Sequence, residues 1–418
     1  MAFAGTFYDG AGFPVLTDGT TVTVNLDVPL QRDEPRAAAR VVTGERCGDM
    51  NNDGVLVVGA GIAGLALTLA LRQREVAVDL VERAPGADGG LAVNLPGNAV
   101  SALIALGVGD QLKQIGRPVG RREYRSATGR LLFGIDEEAF WGPSARSRCV
   151  MRSELHTVLA AGLGVEPRAA TVQSVKVADG GAEVEFTDGD TGRYGFVVGA
   201  DGVRSAVRGA LFGTAGAKEA VLSAASWRFM APNPGVDCWV AWSGGAGSVL
   251  LLPVDDEQVY VYASATRGGP VGADPSWLGT TFQDYPAPVQ AVLRHALDRP
   301  ETLYHSPVEE IRLPSWTAGR CALIGDAAHA TAPIWAEGAA LAVEDALVLA
   351  DELAAGDWDT AGQRYERRRR DRVDHVQAHT DKFSRAAGAP IWLRDLLLPV
   401  LGPRSYRAAY GPLRKPGR

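Results

Sequence analysis

The stretch Val55-Leu56-Val57-Val58-Gly59-Ala60-Gly61-Ile62-Ala63-Gly64 decides the fold of this chain. Its first four residues are all apolar, which is typical of a strand buried on both faces of a parallel sheet. Residues 62–74 then have helical spacing with no breaker after Gly64, and a second apolar strand at 76–81 ends at Glu82. The segment therefore predicts a βαβ unit.

The pattern GxGxxG within this stretch is weak evidence by itself, because the 418 residues include 50 glycines and about 0.7 chance matches are expected. The position of this pattern between a strand and a helix, with Glu82 after the second strand, is more specific evidence for a dinucleotide site. There Gly59 allows a tight turn, Gly61 lets the backbone approach a pyrophosphate and Gly64 lets helix pack on strand. Glu82 is suited to accept hydrogen bonds from a ribose diol. The alternative is a glycine-rich turn without a ligand.

The composition and the N-terminal sequence argue against several classes of protein. A formal net charge of −7 offers no excess of cations to phosphates, so nucleic acid is not an expected partner. The four cysteines show no CxxC or Cys/His ligand spacing, which argues against a metal site and a disulfide framework. No basic region followed by an apolar run opens the chain, so we expect a cytoplasmic protein without a membrane span.

Residues 1–53 differ from the rest of the chain. They contain short turn motifs and one alternating run at 21–26, which is at best a hairpin. Met50 directly precedes the strong strand, and one hypothesis is that the natural start is Met50. The upstream residues would then be an extension outside the native fold. N-terminal sequencing of the native protein tests this, and a mature N-terminus at residue 1 or 2 would contradict it.

Three further segments resemble the motifs of one enzyme family. Residues 199–205 (GADGVRS) resemble the "DG" motif of flavoprotein aromatic hydroxylases, and residues 325–333 (GDAAHATAP) resemble their "GD" motif, continued at 336–346. Residues 90–107 are similar to the stretch that follows the acidic residue in that family. Order and spacing match from about residue 54 to 378. The chain thus resembles the single-component (group A) FAD-dependent aromatic monooxygenases, the para-hydroxybenzoate hydroxylase-like family.

This resemblance implies an α/β fold, α+β overall. A Rossmann-like FAD-binding βαβ domain is built from separated segments, carries an inserted β-sheet substrate domain and is followed by a C-terminal helical region. The expected FAD-binding segments are 54–120, 148–210 and 315–345. The substrate domain is expected in 121–147 and 211–314, and the C-terminal helices in 346–418.

The resemblance also assigns residues to the cofactor. Asp326 follows a predicted buried strand at the end where open α/β sheets bind ligands, and its carboxylate is suited to a ribityl hydroxyl. Gly338 begins a long helix whose positive end faces the flavin in the family. Arg152 matches a family arginine that contacts FAD, the alternative being a solvated cation at a helix start. The expected FAD contacts are Gly59, Gly61, Ile62, Ala63, Gly64, Glu82, Arg83, Arg152, Asp201, Gly325, Asp326, Gly338 and Ala339.

The chemistry of the family defines the expected function. NAD(P)H reduces FAD, and O₂ then forms a flavin C4a-hydroperoxide that hydroxylates an electron-rich ring, here an aromatic or polycyclic small molecule. No second Rossmann unit is visible, so NAD(P)H is expected to bind transiently. Two alternatives stay open: an FAD-dependent oxidase, dehydrogenase or reductase without oxygen insertion, and a non-catalytic flavin-binding protein. The sequence is compatible with a monomer or a homodimer.

The substrate is expected between the β-rich middle of the chain and the flavin. Arg228 is suited to hold a carboxylate or phenolate, the alternative being an edge ion pair with Trp227 in the core. Pro333 and Trp335 follow the "GD" motif and are expected near the flavin ring, the alternative for Trp335 being a core position. Tyr260 and Tyr262 alternate with valines and should share one face of a sheet.

Two smaller features complete the sequence-based expectations. The family usually has glycine at the position of Ala336, and a side chain at a tight turn restricts the backbone. Residues 367–370 and Arg372 form a basic run among acidic residues. We expect this run on a solvated helix face rather than at a nucleic acid.

Overall fold

The computed structural model describes residues 50–418, except 86–90, 165, 214–216, 220–223, 267, 270–271 and 418, together with residues 7–8 and 14–15. Within residues 1–46, which form a separate unit, Phe7–Tyr8 pairs antiparallel with Pro14–Val15. The possible hairpin at 21–26 lies outside the described residues, and so does the rest of the proposed extension up to residue 49.

The strands of the described chain are numbered in order. They are β1 Phe7–Tyr8, β2 Pro14–Val15, β3 Met50–Val58, β4 Val78–Glu82, β5 Ala92–Leu95, β6 Arg117–Pro118, β7 Arg121–Ser126, β8 Leu131–Asp136, β9 Arg148–Met151, β10 Arg168–Ala169, β11 Val172–Ala178, β12 Gly181–Phe186, β13 Thr191–Gly199, β14 Ala217–Glu219, β15 Ala225–Pro232, β16 Trp239–Ser243, β17 Gly247–Pro253, β18 Gln258–Ala265, β19 Tyr304–Pro307, β20 Glu309–Ile311, β21 Thr317–Ala318 and β22 Cys321–Leu323.

The helices are numbered in the same way. They are α1 Ile62–Arg72, α2 Gly97–Ala105, α3 Gly109–Gln114, α4 Glu137–Trp141, α5 Arg152–Ala161, α6 Ala206–Phe212, α7 Ser276–Thr281, α8 Ala287–Asp298, α9 Asp326–His329, α10 Gly338–Ala354, α11 Trp358–Ala386 and α12 Ile391–Tyr410. Short 3-10 turns lie at Pro143–Ala145, Pro300–Thr302 and Pro412–Arg414.

An eight-stranded sheet forms the first layer of the fold. Its centre is parallel: β3 pairs with β4 on one side and with β13 on the other, and β13 also pairs with β22. Residues 55–58 are 0–6% exposed, as expected for a strand covered on both faces. Helix α1 connects β3 to β4 and packs against α10. The predicted α/β fold with a βαβ unit built from separated segments is confirmed.

The first strand of this sheet starts earlier than the apolar pattern indicates. Strand β3 begins at Met50, because Met50 to Asn52 pair with Gly192 to Tyr194 of the nine-residue β13. Backbone pairing does not require apolar side chains, so a hydrophobicity pattern does not detect this extension. The predicted boundary at residue 54 therefore falls inside a strand.

A seven-stranded sheet forms the second layer, in the order β19-β15-β18-β17-β16-β7-β8. One face carries Trp227, Phe229, Val259 and Val261 and is closed by apolar residues of α7 and α8. On the other face, Tyr260 and Tyr262 lie side by side, as the alternation predicts, and both are half-buried. The strands fall within the ranges expected for a substrate domain, and the division into domains stays a prediction.

The C-terminal region is helical, as predicted, and none of its described helices, nor any other in the described chain, is long and apolar enough to cross a membrane. The prediction of a solvated basic face on α11 is wrong for Arg369, which is fully buried, and for Arg372, whose side chain is 12% exposed. Helix α11 packs along α10, where Glu344 and Asp345 receive these two guanidinium groups. Local charge alternation cannot show which helix face turns inward.

Candidate cofactor and substrate site

The turn between β3 and α1 has three glycines in three different environments. Gly59 has φ +103°, and a Cβ there would lie 2.6 Å from the carbonyl oxygen of Ala200. A Cβ on Gly64 would overlap the carbonyl oxygen of Gly59. A Cβ on Gly61 would meet no protein atom within 4 Å. The first and third glycines thus serve tight packing, while the second leaves open room in front of the helix N-terminus.

Glu82 stands at the end of β4 with its carboxylate fixed against this turn. The N–H of Ala60 donates to Oε2 at 2.8 Å and the N–H of Ala84 donates to Oε1 at 3.1 Å. From α5, His156 contributes a ring nitrogen 2.9 Å from the carbonyl oxygen of Ala60. Sequence reasoning missed His156, because nothing in its surroundings marks it as a neighbour of the turn.

The "GD" segment is held from behind by a buried ionic network. Gly325 has φ +58° and donates its N–H to Oδ2 of Asp345 at 2.9 Å. The ring of His329 lies 2.6 Å from the same oxygen, and Nε of Arg369 donates to Oδ1 at 2.7 Å. Burial would raise the pKa of Asp345, but His329 and Arg369 lower it to about 2. Asp345 is therefore an anion that fixes the turn.

Asp326 lies on the open side of the same segment. Its side chain is exposed, and a Cβ on Gly338, the first residue of α10, would lie 3.6 Å from Oδ1 of Asp326. A Cβ on Gly325 would lie 3.1 Å from Cβ of Ala63, so the segment sits beside the N-terminus of α1. The first glycine turn, Asp326 and the start of α10 thus form one cradle at the carboxyl ends of parallel strands.

The "DG" segment adjoins this cradle. Oδ2 of Asp201 accepts the N–H groups of Ala206 and Val207 at 2.7 and 3.2 Å and so caps α6. Its buried Oδ1 has no hydrogen-bond partner among the described residues, and burial raises the pKa of Asp201. The side chains of Arg83 and Arg152 are exposed. Their assignment to FAD stays a prediction.

Pro333 and Trp335 occupy different surroundings. Pro333 is exposed, whereas Trp335 is 8% exposed and packs edge-on against Phe383 and Tyr410. Trp335 therefore contacts the C-terminal helices, which corresponds to the core alternative for its surroundings. The next residue, Ala336, has φ +55°, a conformation that favours glycine.

Glu337, which immediately precedes α10, is a buried carboxyl group that sequence reasoning missed. Nδ2 of Asn98 donates to its Oε2 at 2.7 Å. Its Oε1 is buried with no hydrogen-bond partner among the described residues. Burial raises the pKa of Glu337 to about 8, against an ordinary value of 4.5. At neutral pH this group therefore keeps its proton in the folded state.

Replacing Glu337 with glutamine tests this protonation. The folded state binds the proton more tightly than the unfolded state, so the wild type loses stability as the pH rises from 4.5 to about 8. The neutral amide keeps the Asn98 bond and has no proton to lose. From about pH 6 to about pH 9 its advantage in urea unfolding should grow by about 2–3 kcal/mol.

The exposed Glu257→Gln variant is the control for this experiment, because Glu257 lies on the surface of the loop before β18. Its stability should follow the wild type at every pH. Parallel pH profiles for Glu337→Gln and the wild type would show that Glu337 is ionised in the folded protein.

Arg228 lies on the half-buried face of the seven-stranded sheet. Its Nε donates to Oγ of Ser226 at 3.2 Å, and its guanidinium carbon lies 5.8 and 5.9 Å from the ring centres of Tyr262 and Tyr304. Among the described residues no carboxylate forms an ion pair with Arg228, while Trp227 on the opposite face is core. Trp227 therefore lies in the core, as the alternative interpretation expects. Arg228 does not form, with any described residue, the edge ion pair that the same interpretation includes.

Known proteins resemble this chain in sequence and in fold. A family model described as "FAD binding domain" matches residues 53–380. The 2-heptyl-3-hydroxy-4(1H)-quinolone synthase of Pseudomonas aeruginosa (strain UCBPP-PA14) is 30% identical over 369 residues, covering 84% of this chain and 95% of that enzyme. This chain belongs to the single-component FAD-dependent monooxygenases. The predicted family, enzyme class and FAD cofactor are confirmed.

Two further proteins, one curated enzyme and one solved structure, extend the comparison. The 6-hydroxynicotinate 3-monooxygenase of Pseudomonas fluorescens is 30% identical and covers 81% of this chain and 93% of that enzyme. The Klebsiella pneumoniae protein HpxO, solved with FAD and uric acid, superimposes with a TM-score of 0.73 at 25% identity, covering 87% and 93% of the two chains.

The residues of the cradle fit FAD. The room at Gly61 suits a pyrophosphate that approaches the helix N-terminus, and the fixed carboxylate of Glu82 suits a ribose diol. The exposed carboxylate of Asp326 is a further acceptor on the same side. These carboxylates suit hydroxyl groups and repel a phosphate, which leaves the phosphates to the glycine turn.

Proposed function

We propose that this FAD monooxygenase hydroxylates a planar aromatic molecule that carries an acidic or phenolic oxygen. The observation that carries the proposal is the half-buried face of the seven-stranded sheet, which packs in part against Ala92, Val119 and Cys149. There Met230, Leu250, Tyr260 and Tyr262 are half-buried around Arg228, while the opposite face is closed by helices. Aromatic and aliphatic side chains around Arg228, which has no carboxylate partner among the described residues, suit a flat ring with one anionic substituent.

Arg228 would orient the ring through that substituent. The bond from Nε to Ser226 positions the guanidinium group and leaves its two terminal nitrogens as donors toward a carboxylate or phenolate. A row of serines in register crosses six strands of this face, and its members on the strands next to Arg228 add polar groups there: Ser306, Ser226, Ser264, Ser248, Ser243 and Ser126.

The cradle residues would hold the cofactor at the other side of the substrate. The N–H groups at the start of α1 bind the pyrophosphate, Glu82 binds a ribose diol and Asp326 binds the ribityl chain. The N-terminus of α10 places positive dipole at the flavin ring. Bound FAD, reduced by NAD(P)H, would supply the chemistry that inserts one oxygen atom of O₂ into the ring and releases the other as water. The apolar side chains of the half-buried face would exclude water from the ring.

Isotope labelling tests the function. With NAD(P)H, ¹⁸O₂ and a panel of hydroxylated aromatic acids, a substrate should stimulate NAD(P)H oxidation and the product should contain one ¹⁸O atom. Substrate turnover without label in the product would indicate an oxidase or dehydrogenase. A flavin that no aromatic compound and neither nicotinamide reduces would indicate a non-catalytic flavoprotein.

Arg228→Gln tests the substrate class. The variant should lose about tenfold or more in kcat/KM for an aromatic acid, because a charge-assisted bond is lost. For the neutral amide of the same compound, kcat/KM should stay close to that of the wild type. Equal losses for the acid and its amide would show that Arg228 does not recognise the charge.

Asp326→Ala tests the cofactor assignment. Loss of an acceptor for a hydroxyl group should weaken FAD binding by about tenfold or more in a flavin fluorescence titration. The exposed Asp284→Ala, in the turn before α8, is the matched control and should bind FAD like the wild type. Full FAD occupancy of the Asp326 variant after purification would contradict the role of this carboxylate.

A further inference from the structure

Helix α12 exposes an apolar stripe along its N-terminal half. Trp392, Leu396 and Val400 recur every four residues and are 67%, 65% and 56% exposed, so they share one helix face. Leu397 and Leu401 widen the stripe at 42% and 44%. Single exposed apolar residues need no explanation, but a contiguous patch of this kind marks an interaction surface.

The C-terminal half of the same helix is anchored in the protein. A Cβ on Gly402 would overlap the ring of Phe133. The hydroxyl groups of Tyr406 and Tyr410 donate to Glu137 and to the carbonyl oxygen of Trp335. The exposed stripe is therefore part of a helix with a fixed orientation, and its outward face cannot turn inward to bury itself.

The charge around the stripe is strongly asymmetric. Residues 382–418 contain eight Lys and Arg residues and one acidic residue, Asp395, which gives +7 in a chain whose total is −7. Asp395 lies 3.7 Å from Arg394 and 3.9 Å from Arg130. Four cationic side chains that flank the stripe along the chain are exposed: Lys382 and Arg385 at the end of α11, and Arg404 and Arg407 on α12 itself.

We propose that this surface, residues 382–407, docks on an anionic lipid bilayer. An apolar helix face with tryptophan and leucine, flanked by cations, is the combination that lies in the plane of a membrane interface. The cations meet anionic headgroups, while Trp392, Leu396 and Val400 enter the acyl boundary. The rest of the chain, with a charge of −14 from residues 1–381, is repelled from the same surface, which favours one orientation.

A second copy of the chain is a weaker occupant for this surface. In a two-fold dimer the same surface of both subunits forms the interface. The exposed cations around the stripe of one subunit would then lie against the same cations of the second subunit. That juxtaposition is unfavourable without counterions. An anionic bilayer instead supplies both the apolar phase and the opposite charge.

Vesicle sedimentation of the full-length protein tests the proposal. Binding should be strong on phosphatidylcholine vesicles that contain phosphatidylglycerol and weak on phosphatidylcholine alone, and added salt should reduce it. Trp392→Ser with Leu396→Ser should lower the partition coefficient by about tenfold or more. Arg404→Gln with Arg407→Gln should weaken binding and flatten the salt dependence.

Ile104→Ser is the matched control, since Ile104 is 42% exposed on α2 outside the patch. This variant should bind vesicles like the wild type, and circular dichroism establishes that each variant is folded. Equal binding by wild type and the Trp392/Leu396 variant would overturn the proposal. A dimer in sedimentation equilibrium that the Trp392/Leu396 variant dissociates, with no vesicle binding, would overturn it as well and assign the stripe to a second copy. Either result leaves the proposed hydroxylase function untouched.

Discussion

Arg369→Met should cost about 3–5 kcal/mol of unfolding free energy in urea, which is the usual loss when one partner of a buried ion pair is removed. The guanidinium group is fully buried, with Nε 2.7 Å from Oδ1 of Asp345 and Nη2 2.9 Å from Oε2 of Glu344. Methionine fills much of the space but leaves Asp345 with His329 and one backbone N–H. A core carboxylate that has lost its guanidinium partner then opposes folding.

The same variant should weaken FAD binding, although Arg369 is placed behind the cradle. Asp345 holds the N–H of Gly325 at 2.9 Å, so a shift of its carboxylate moves the turn that carries Asp326. Arg367→Met is the matched control, because Arg367 is exposed on the same helix. It should change stability by less than about 0.5 kcal/mol. Equal stability of the two variants would contradict the buried network.

Gly64→Ala should be as severe, with a loss of about 3 kcal/mol or more and no FAD binding. The new Cβ would overlap the carbonyl oxygen of Gly59, and only backbone movement of the turn relieves this overlap. Because that turn begins α1, the strand–helix packing at the centre of the sheet is disturbed. Thermal unfolding and flavin titration measure the two effects.

Gly61→Ala should weaken FAD binding and leave the stability of the fold nearly unchanged. Its backbone has φ −74°, which alanine adopts freely, and its Cβ would meet no protein atom within 4 Å. Stability should fall by less than about 1 kcal/mol. The methyl group occupies the room in front of the helix N-terminus, so FAD affinity should drop by about tenfold or more. Wild-type FAD affinity in Gly61→Ala would place the pyrophosphate elsewhere.

Sequence patterns predicted the parts of the fold that depend on local chemistry. Apolar runs located β3 and β22, and the glycines between β3 and α1 followed from their packing roles. The start of β3 at Met50 was missed because polar residues pair there through the backbone alone. For the same reason the apolar pattern placed the boundary of the unit at residue 54.

Local sequence patterns do not identify the residues that support the site from behind. Whether Arg369 is solvated depends on how α11 lies against Asp345 of α10, which no property of the basic run specifies. The place of Trp335 near the flavin stays a prediction, while its contacts with Phe383 and Tyr410, from helices far along the chain, were not foreseen. Glu337 belongs to the stretch that continues the "GD" motif, but the motif does not show its burial beside Asn98, which exists only in the assembled fold.

The order of strands in the eight-stranded sheet has a consequence for biosynthesis. Strand β3 leaves the ribosome long before its partner β13, with residues 59–190 between them, and β22 follows only after another long stretch. Contacts so distant in sequence slow folding. During translation the edge of β3 that later pairs with β13 stays unpaired. Chaperones and other nascent chains can bind this edge until β13 has been synthesised. The cradle for the cofactor is complete only once α10 has emerged, so flavin cannot assist any of the earlier steps.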